Sequence, residues 1–191
     1  MKKSKYPTLP RIPVPTFPLG RVIGYYNSDK IVLDNAKKNK DTIYGSQALK
    51  KHIGFLARKP NDYDILSKSP RKRAMEVEKE LDKQSGGDYY YYAPAIHKGT
   101  WKVKEIGPDN KMNTADDINI VDYSEFGDRN PKEYVTKDEQ RFVPIKSIIR
   151  DRYKAIRDPE YKFRWEKDRD DLKRIRLFRS IKKINNRFRR R

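Results

Sequence analysis

Charge is not spread evenly along this chain. Residues 1–40 carry nine basic and two acidic side chains, residues 146–191 carry nineteen and seven, and the stretch between them holds eighteen of each. The formal net charge of +19 therefore belongs to the two ends, and only the middle is balanced enough to pack without self-repulsion. This confines a folded domain to residues 28–145, with a basic Pro-rich arm (1–27) before it and a helical basic extension (146–191) after it. The hydrophobic fraction, 35%, lies below the roughly 45% of an ordinary globular chain, although 12% aromatic residues offset part of the shortage. A core is available to the middle but not to the whole length. The last thirteen residues, Arg179 to Arg191, contain seven basic residues and no acid, which points to nucleic acid or another polyanion as a partner of this tail and of the arm.

Composition also removes whole classes of chemistry. With no cysteine there is no disulfide, no thiol nucleophile and no cysteine zinc site, and two isolated histidines leave any metal to be held by oxygen. The basic N-terminal stretch runs into prolines rather than an apolar segment, and no run of about 18 apolar residues occurs. The expectation is a protein without a membrane partner, cytoplasmic or otherwise intracellular, free or associated with a particle.

Pro7, Pro10, Pro13, Pro15 and Pro18 make the arm extended rather than helical. A short amphipathic helix is expected from an N-cap at Ser28 to Asn39. Thr42-Ile43-Tyr44 reads as a brief strand that stops at Gly45-Ser46 and turns into a helix. Asn61 to Leu66 alternates carboxylate and apolar residue, so Asp62 and Asp64 point to the same face of a strand. Ser69-Pro70 opens a helix lined by Ala74, Val77 and Leu81 that Gly86-Gly87 closes. Tyr89–Ile96, Thr100–Ile106 and Ile118–Asp122 read as strands, with Ile118, Ile120 and Asp122 on one face, and the chain from Pro144 is helical with a break at Asp158-Pro159. The predicted class is α+β, a mixed sheet flanked by helices.

Two carboxylates on one strand face repel unless a cation neutralises them. A third acid, Asp122, would complete an all-oxygen site suited to Mg²⁺, and Gly45-Ser46 at a helix start offers close backbone approach, a hydroxyl and free N–H groups to a phosphate. Two ions held by Asp62, Asp64 and Asp122 would activate a hydroxyl and stabilise a pyrophosphate leaving group. Asp116 and Asp117 compete for the third position, but they sit in the loop before the strand. That loop, residues 107–117, has alternating oxygen side chains but lacks the glycine and terminal glutamate of a calcium-binding hand, and reads as a hairpin loop.

These residues resemble the polymerase-beta-like nucleotidyltransferases, which share a hydrophobic-Gly-Gly/Ser motif, an acid-hydrophobic-acid-hydrophobic motif on the next strand and a separate third acid. Tyr44-Gly45-Ser46 and Asp62-Tyr63-Asp64-Ile65 look like the first two, and Asp122 like the third. Arg164 to Leu172, with Lys167, Asp168 and Asp171, resembles the Lys-Asp-x-x-Asp-Leu helix of small nucleotidyltransferases of the abortive-infection toxin type. The resemblance implies the matching fold and an Mg²⁺-dependent transfer of a nucleoside monophosphate from an NTP such as ATP to a hydroxyl of RNA, protein or a small molecule. It implies that Asp62 and Asp64 bind both metals, that Asp122 binds one and helps deprotonate the acceptor, and that Gly45 and Ser46 hold the triphosphate. Lys167, Asp168 and Asp171 then support the site, where otherwise they would form a solvated ion-paired helix face. The interval of fifteen residues between Ser46 and Asp62 is at the long end for the family, and its excess, 55–61, reads as a longer loop.

His97-Lys98-Gly99-Thr100-Trp101 has two readings. Either Lys98 meets a nucleotide phosphate with His97 in support and Trp101 stacking on a base, or the segment is an edge turn beside a core tryptophan. Tyr89 to Tyr92 should put two rings inward and two outward. The competing function is a non-catalytic, nucleic-acid-associated structural protein that keeps the fold and uses its basic ends.

Overall fold

Alternation of apolar residues builds the centre of a sheet: Ile43, Ile65, Val103, Val121 and Tyr123 are all fully buried, each on a different strand or on alternate positions of one. The computed structural model describes residues 20–189. Its first half runs α1 (Gly20–Asn39), β1 (Thr42–Tyr44), α2 (Gly45–Ile53), β2 (Tyr63–Leu66), α3 (Pro70–Ser85), β3 (Tyr90–Pro94) and β4 (Thr100–Glu105). There follow β5 (Ile118–Ser124), β6 (Val135–Lys137), β7 (Gln140–Phe142), α4 (Ile145–Ala155), a 3-10 segment (Pro159–Arg164) and α5 (Trp165–Phe188). The seven strands form one sheet in the order β3-β4-β5-β2-β1-β7-β6, in which β2 pairs with β5 and β1 with β7 in parallel and the other pairs are antiparallel. The expected α+β class holds.

The sheet has two different faces. Tyr63, Ile65, Val121 and Tyr123 point towards α1 and α3, whose Val32, Ala36, Ala74, Val77 and Leu81 are buried against them. The Tyr123 hydroxyl donates to Asn35 Oδ1 of α1 at 3.3 Å, which fixes this side. Asp64 and Asp122, being one residue out of phase, point the other way, towards α2 and the helices that follow β7.

Several elements differ from the sequence reading. Helix α1 begins at Gly20, so Ser28 is a buried residue inside it rather than its cap, and residues 20–27 belong to a helix rather than to the arm. The last proline of the arm is Pro18, so nothing after it blocks a helix. Residues 1–19, with the prolines, and Arg190 and Arg191 lie outside the described residues. The β6–β7 hairpin was not visible in the sequence because its turn is made by Asp138 and Glu139, both at positive φ (47° and 63°), where Asn-Gly would have been the usual signal. Tyr90 and Tyr91 are both buried although they face opposite sides, because the 107–117 loop covers Tyr91: its hydroxyl donates to Asp117 and accepts from the Asn113 backbone N–H. Asp158 does break the C-terminal helices, accepting from the Glu160 N–H at 3.0 Å ahead of Pro159. Among the described residues no helix is long and apolar enough to cross a membrane.

Candidate active site

The turn from β1 into α2 presses directly on β2. Gly45 sits at φ +64°, and a Cβ placed there would fall 1.9 Å from Asp64 Oδ2, so only glycine brings the start of α2 this close to that carboxylate. Tyr44 is opposite Asp64 in the antiparallel pair, and its hydroxyl shares a hydrogen bond with Ser124 Oγ at 3.1 Å while the Arg129 guanidinium lies over its ring. Ser46 follows in the first turn of α2 and is buried. No acid occurs in that turn, so its free N–H groups face the carboxylate side uncompensated.

Asp64 is register-paired with Asp122 on β5, whereas the strand begins only at Tyr63, so Asp62 lies in the bend just before it rather than on its face. Asn119 Nδ2 donates to Asp62 Oδ2 at 2.9 Å and to Asp122 Oδ1 at 2.8 Å, so one nitrogen bridges two of the three acids. Lys102 Nζ, opposite Asp122 on β4, lies 3.1 Å from Asp122 Oδ2. Sequence reasoning missed both partners. Asn119 and Asp122 are three apart and should face opposite sides, but the ladder shifts by one residue between Val103 and Lys104, leaving Ile120 as an extra residue of β5. This bulge brings Asn119 to the Asp122 face and moves Ile118 off it, which corrects the expectation that Ile118, Ile120 and Asp122 share one side.

Burial pushes the Asp64 carboxyl up to about 6, the negative charges of Asp62 and Asp122 adding to it against the opposing pull of Lys167 and Arg152. The three carboxylates therefore sense one another, and Asp122 rather than Asp117 completes the group. Asp117 is a loop pin, accepting from the backbone N–H groups of Gly107 and Thr114, both at 3.0 Å. Asp116 accepts from the Asp109 N–H in the same loop, as the hairpin reading required. Among the described residues no three acidic or histidine side chains close into a metal cage as they stand. The donor chemistry nevertheless suits a hard cation, since it is all carboxylate oxygen, and the Asn119 amide marks the point between Asp62 and Asp122 where positive charge is favoured.

The segment Lys167–Leu172 lies on α5, which returns to this face. Asp168 and Asp171 are completely buried. Arg152 of α4 reaches both, Nη1 to Asp168 Oδ1 at 3.1 Å and Nη2 to Asp171 Oδ2 at 3.2 Å. Arg164 makes a second, two-pronged contact with Asp168, and Arg58 Nε a second contact with Asp171 at 3.2 Å. These acids are thus not a solvated face, and their partners are arginines from three segments rather than a lysine one turn away. Arg58 belongs to the long 55–61 interval, whose Leu56 carbonyl also accepts from Arg174 at 3.1 Å, so the extra length is the seat of α5. Lys167, partly buried among Arg58, Arg164 and Arg152, has its ammonium pulled below the usual range, while Asp64 counteracts this.

His97 and Lys98 do not join this group. Thr100 pairs with Ser124, and the Glu125 N–H donates to the Gly99 carbonyl at 3.1 Å, so the exposed 97–99 turn caps the strand ends remote from Asp62 and Asn119. Thr100 Oγ1 and the Tyr44 hydroxyl both hydrogen-bond Ser124 Oγ, at 3.0 and 3.1 Å, so the turn adjoins the Ser124 end of β5.

Arg152→Ala should cost about 3 kcal/mol in chemical denaturation, because it strips one partner from each of two buried carboxylates, whereas Lys154→Ala, exposed two residues later, should stay within about 0.5 kcal/mol. Gly45→Ala should destabilise by about 1–3 kcal/mol through the positive φ and the clash together. Adding Asp64→Ala should recover the clash part, a positive coupling readable in a double-mutant cycle. The raised Asp64 carboxyl binds its proton more tightly folded than unfolded, so its contribution to stability is lost as pH rises through about 6 and is fully present below the ordinary value of 3.8. In EDTA the melting temperature should rise from pH 7 to pH 5, and Asp64→Asn should shrink that rise without abolishing it, since burial also raises Asp41 to about 6.

No protein-family profile matches the chain, and no curated protein is similar to it in sequence. Solved structures are similar in fold. The polyadenylate synthase of Megavirus superposes with a TM-score of 0.61 at 18% identity over 81% of this chain, which spans only 30% of that protein's length. ANT(2")-Ia in complex with adenylyl-2"-tobramycin is a looser likeness, with a TM-score of 0.44 and 14% identity over 86% of this chain and 99% of that one. By its superposition on the polyadenylate synthase, the fold of this chain, with Asp64 and Asp122 paired on one sheet face against a strand-Gly-Ser-helix turn, is nucleotidyltransferase-like.

Proposed function

We propose that the chain is an Mg²⁺-dependent nucleotidyltransferase of the small, toxin-like kind that moves a nucleoside monophosphate from an NTP to a hydroxyl acceptor. The observation that carries this reading is the close approach of Gly45 to Asp64, which sets the free N–H groups of α2 beside the acids. Asp62, Asp64 and Asp122 would hold Mg²⁺, which when bound supplies charge neutralisation for the triphosphate and favours ionisation of the acceptor hydroxyl. The backbone N–H groups of Gly45 and Ser46 bind phosphate oxygens. Lys167, close enough to Asp64 for its charge to lower that carboxyl, takes a supporting cationic role. Asp122 accepts the proton of the attacking hydroxyl as the new oxygen–phosphorus bond forms and the bond to pyrophosphate breaks. Asn119 and Lys102 hold Asp122 in place for this step. Asp168 and Asp171 do not touch substrate; they hold Arg152, and through it the packing of α5 over the site.

Incubation of the protein with each labelled NTP, Mg²⁺ and cell extract should label one acceptor class. Asp64→Asn should abolish labelling, a barrier increase of more than ~3 kcal/mol, without lowering the melting temperature measured in EDTA. It should also lose any Mg²⁺-dependent stabilisation. A wild-type protein that neither labels an acceptor nor gains stability from Mg²⁺ plus NTP would instead be a non-catalytic nucleic-acid-associated protein. Deleting residues 179–191 should weaken RNA binding and flatten its salt dependence while leaving the fold intact, since the cations of α5 from Arg179 onward are exposed and touch no core residue.

A further inference from the structure

At the far end of the sheet, on its other face, is a cleft that the proposed reaction does not use. It encloses about 440 Å³ and is lined by Lys68, Arg71, Lys72, Met75, Trp101 and Glu125, with Gly99 at its edge. Trp101 pairs with Tyr123 across the β4–β5 ladder, so it lies on the side of α1 and α3, whereas its neighbour Lys102 faces Asp122. Lys68 follows the end of β2, four residues after Asp64, so the cleft lies up to about 13 Å from that carboxylate along an extended chain and on the opposite face of the sheet.

The chemistry of the lining is that of a base-stacking and phosphate-binding surface. The Arg71 guanidinium lies over the Trp101 indole at 5.1 Å, and Tyr92 packs against the same ring at 5.8 Å with a 44° tilt. Trp101 is thus braced by Tyr92 and orients the Arg71 plane, and Arg71 is itself exposed. An oriented guanidinium plane is a stacking partner for an unpaired base. Lys68 and Lys72 are exposed beside it, Met75 is 45% exposed, and the adjoining turn presents Ile96, His97 and Lys98 to solvent. Glu125 is the one acid of the lining, against three cations, and its side chain lies against Gly99 at the margin.

We propose that this cleft binds single-stranded nucleic acid, with a base stacked on the Arg71–Trp101 pair and the flanking phosphates on Lys68, Lys72 and Lys98. The interleaving of cations with an aromatic ring is what a sequence-tolerant single-strand site requires. A purely acidic peptide would use the cations but leave the stacked pair idle. The 97–101 segment, which the carboxylate site leaves unemployed, acquires its use here.

The test uses the full chain labelled with 5-fluorotryptophan, in which the two tryptophans give two ¹⁹F resonances, assigned with Trp101→Phe. Titration with a ten-residue single-stranded oligoadenylate should shift the Trp101 resonance and leave Trp165 in place. Arg71→Ala with Lys72→Ala should weaken the Trp101-detected binding about tenfold and reduce its salt slope by roughly two phosphate contacts. Lys68→Ala, at an exposed lysine, should weaken it by a smaller factor and guards against a folding artefact. Asp64→Asn should leave the titration unchanged, so loss of transfer activity and loss of this site are separable. Three outcomes would overturn the proposal: oligonucleotide binding without movement of the Trp101 resonance, binding abolished by removing residues 179–191 but untouched by Arg71→Ala with Lys72→Ala, or an equal Trp101 shift with polyglutamate of the same length.

Discussion

Three carboxylates held at one face of a small sheet repel one another, and much of the chain is arranged around that repulsion. Asp64 and Asp122 are placed by strand register, and Asp62, just before β2, is tied to Asp122 through the shared Asn119 amide. The charge is answered locally by Lys102, by the two N–H bonds of a single amide from Asn119 and by the start of α2, and at longer range by Lys167 and Arg152. Even so, Asp64 holds its proton to about 6. A site with this much residual negative character is poised to take up a cation, and the cost of keeping it in the absence of one is met by packing elsewhere in the fold.

The helices after β7 matter for the same reason. Asp168 and Asp171 are buried completely and would be ruinous alone, but Arg152, Arg164 and Arg58 come to them from α4, the 3-10 segment and the 55–61 loop. Buried ion pairs add little net stability against an apolar alternative, yet removing one partner is expensive. Such a network therefore specifies position more than it adds strength. What it positions is α5, and with it Lys167, whose charge acts on Asp64.

Period-two and period-3.6 patterning made the strands and most helices legible, and with them the place of Asp64 and the turn at Gly45. These depend on local sequence. Asn119 was not legible because a bulge at Ile120 changes which residues share a face, and a bulge leaves no mark in the alternation when the residue concerned is itself apolar, while Lys102 meets Asp122 only through the β4–β5 register. Arg58 and Arg152 were hidden for another reason: in a chain so rich in arginine, nothing distinguishes those that meet a buried acid until the chain has folded. The place of the 97–99 turn was not legible because strand length alone does not say at which end of a sheet a turn will lie. The antiparallel register of β4 decides that.

The seat of α5 on the 55–61 loop bears on the order in which the protein is built. Every strand precedes α5 in the sequence, so a growing chain can complete its sheet and assemble its three carboxylates before the helix that screens them has been made. Until α5 arrives, Arg152 and Arg58 lack Asp168 and Asp171, and Asp64 lacks the charge of Lys167. Docking then draws Asp168 and Asp171 out of solvent in one event, since neither is tolerable when only half paired. A nascent chain whose α5 has not yet emerged would therefore carry the acids with Lys102 and Asn119 beside them but without Lys167.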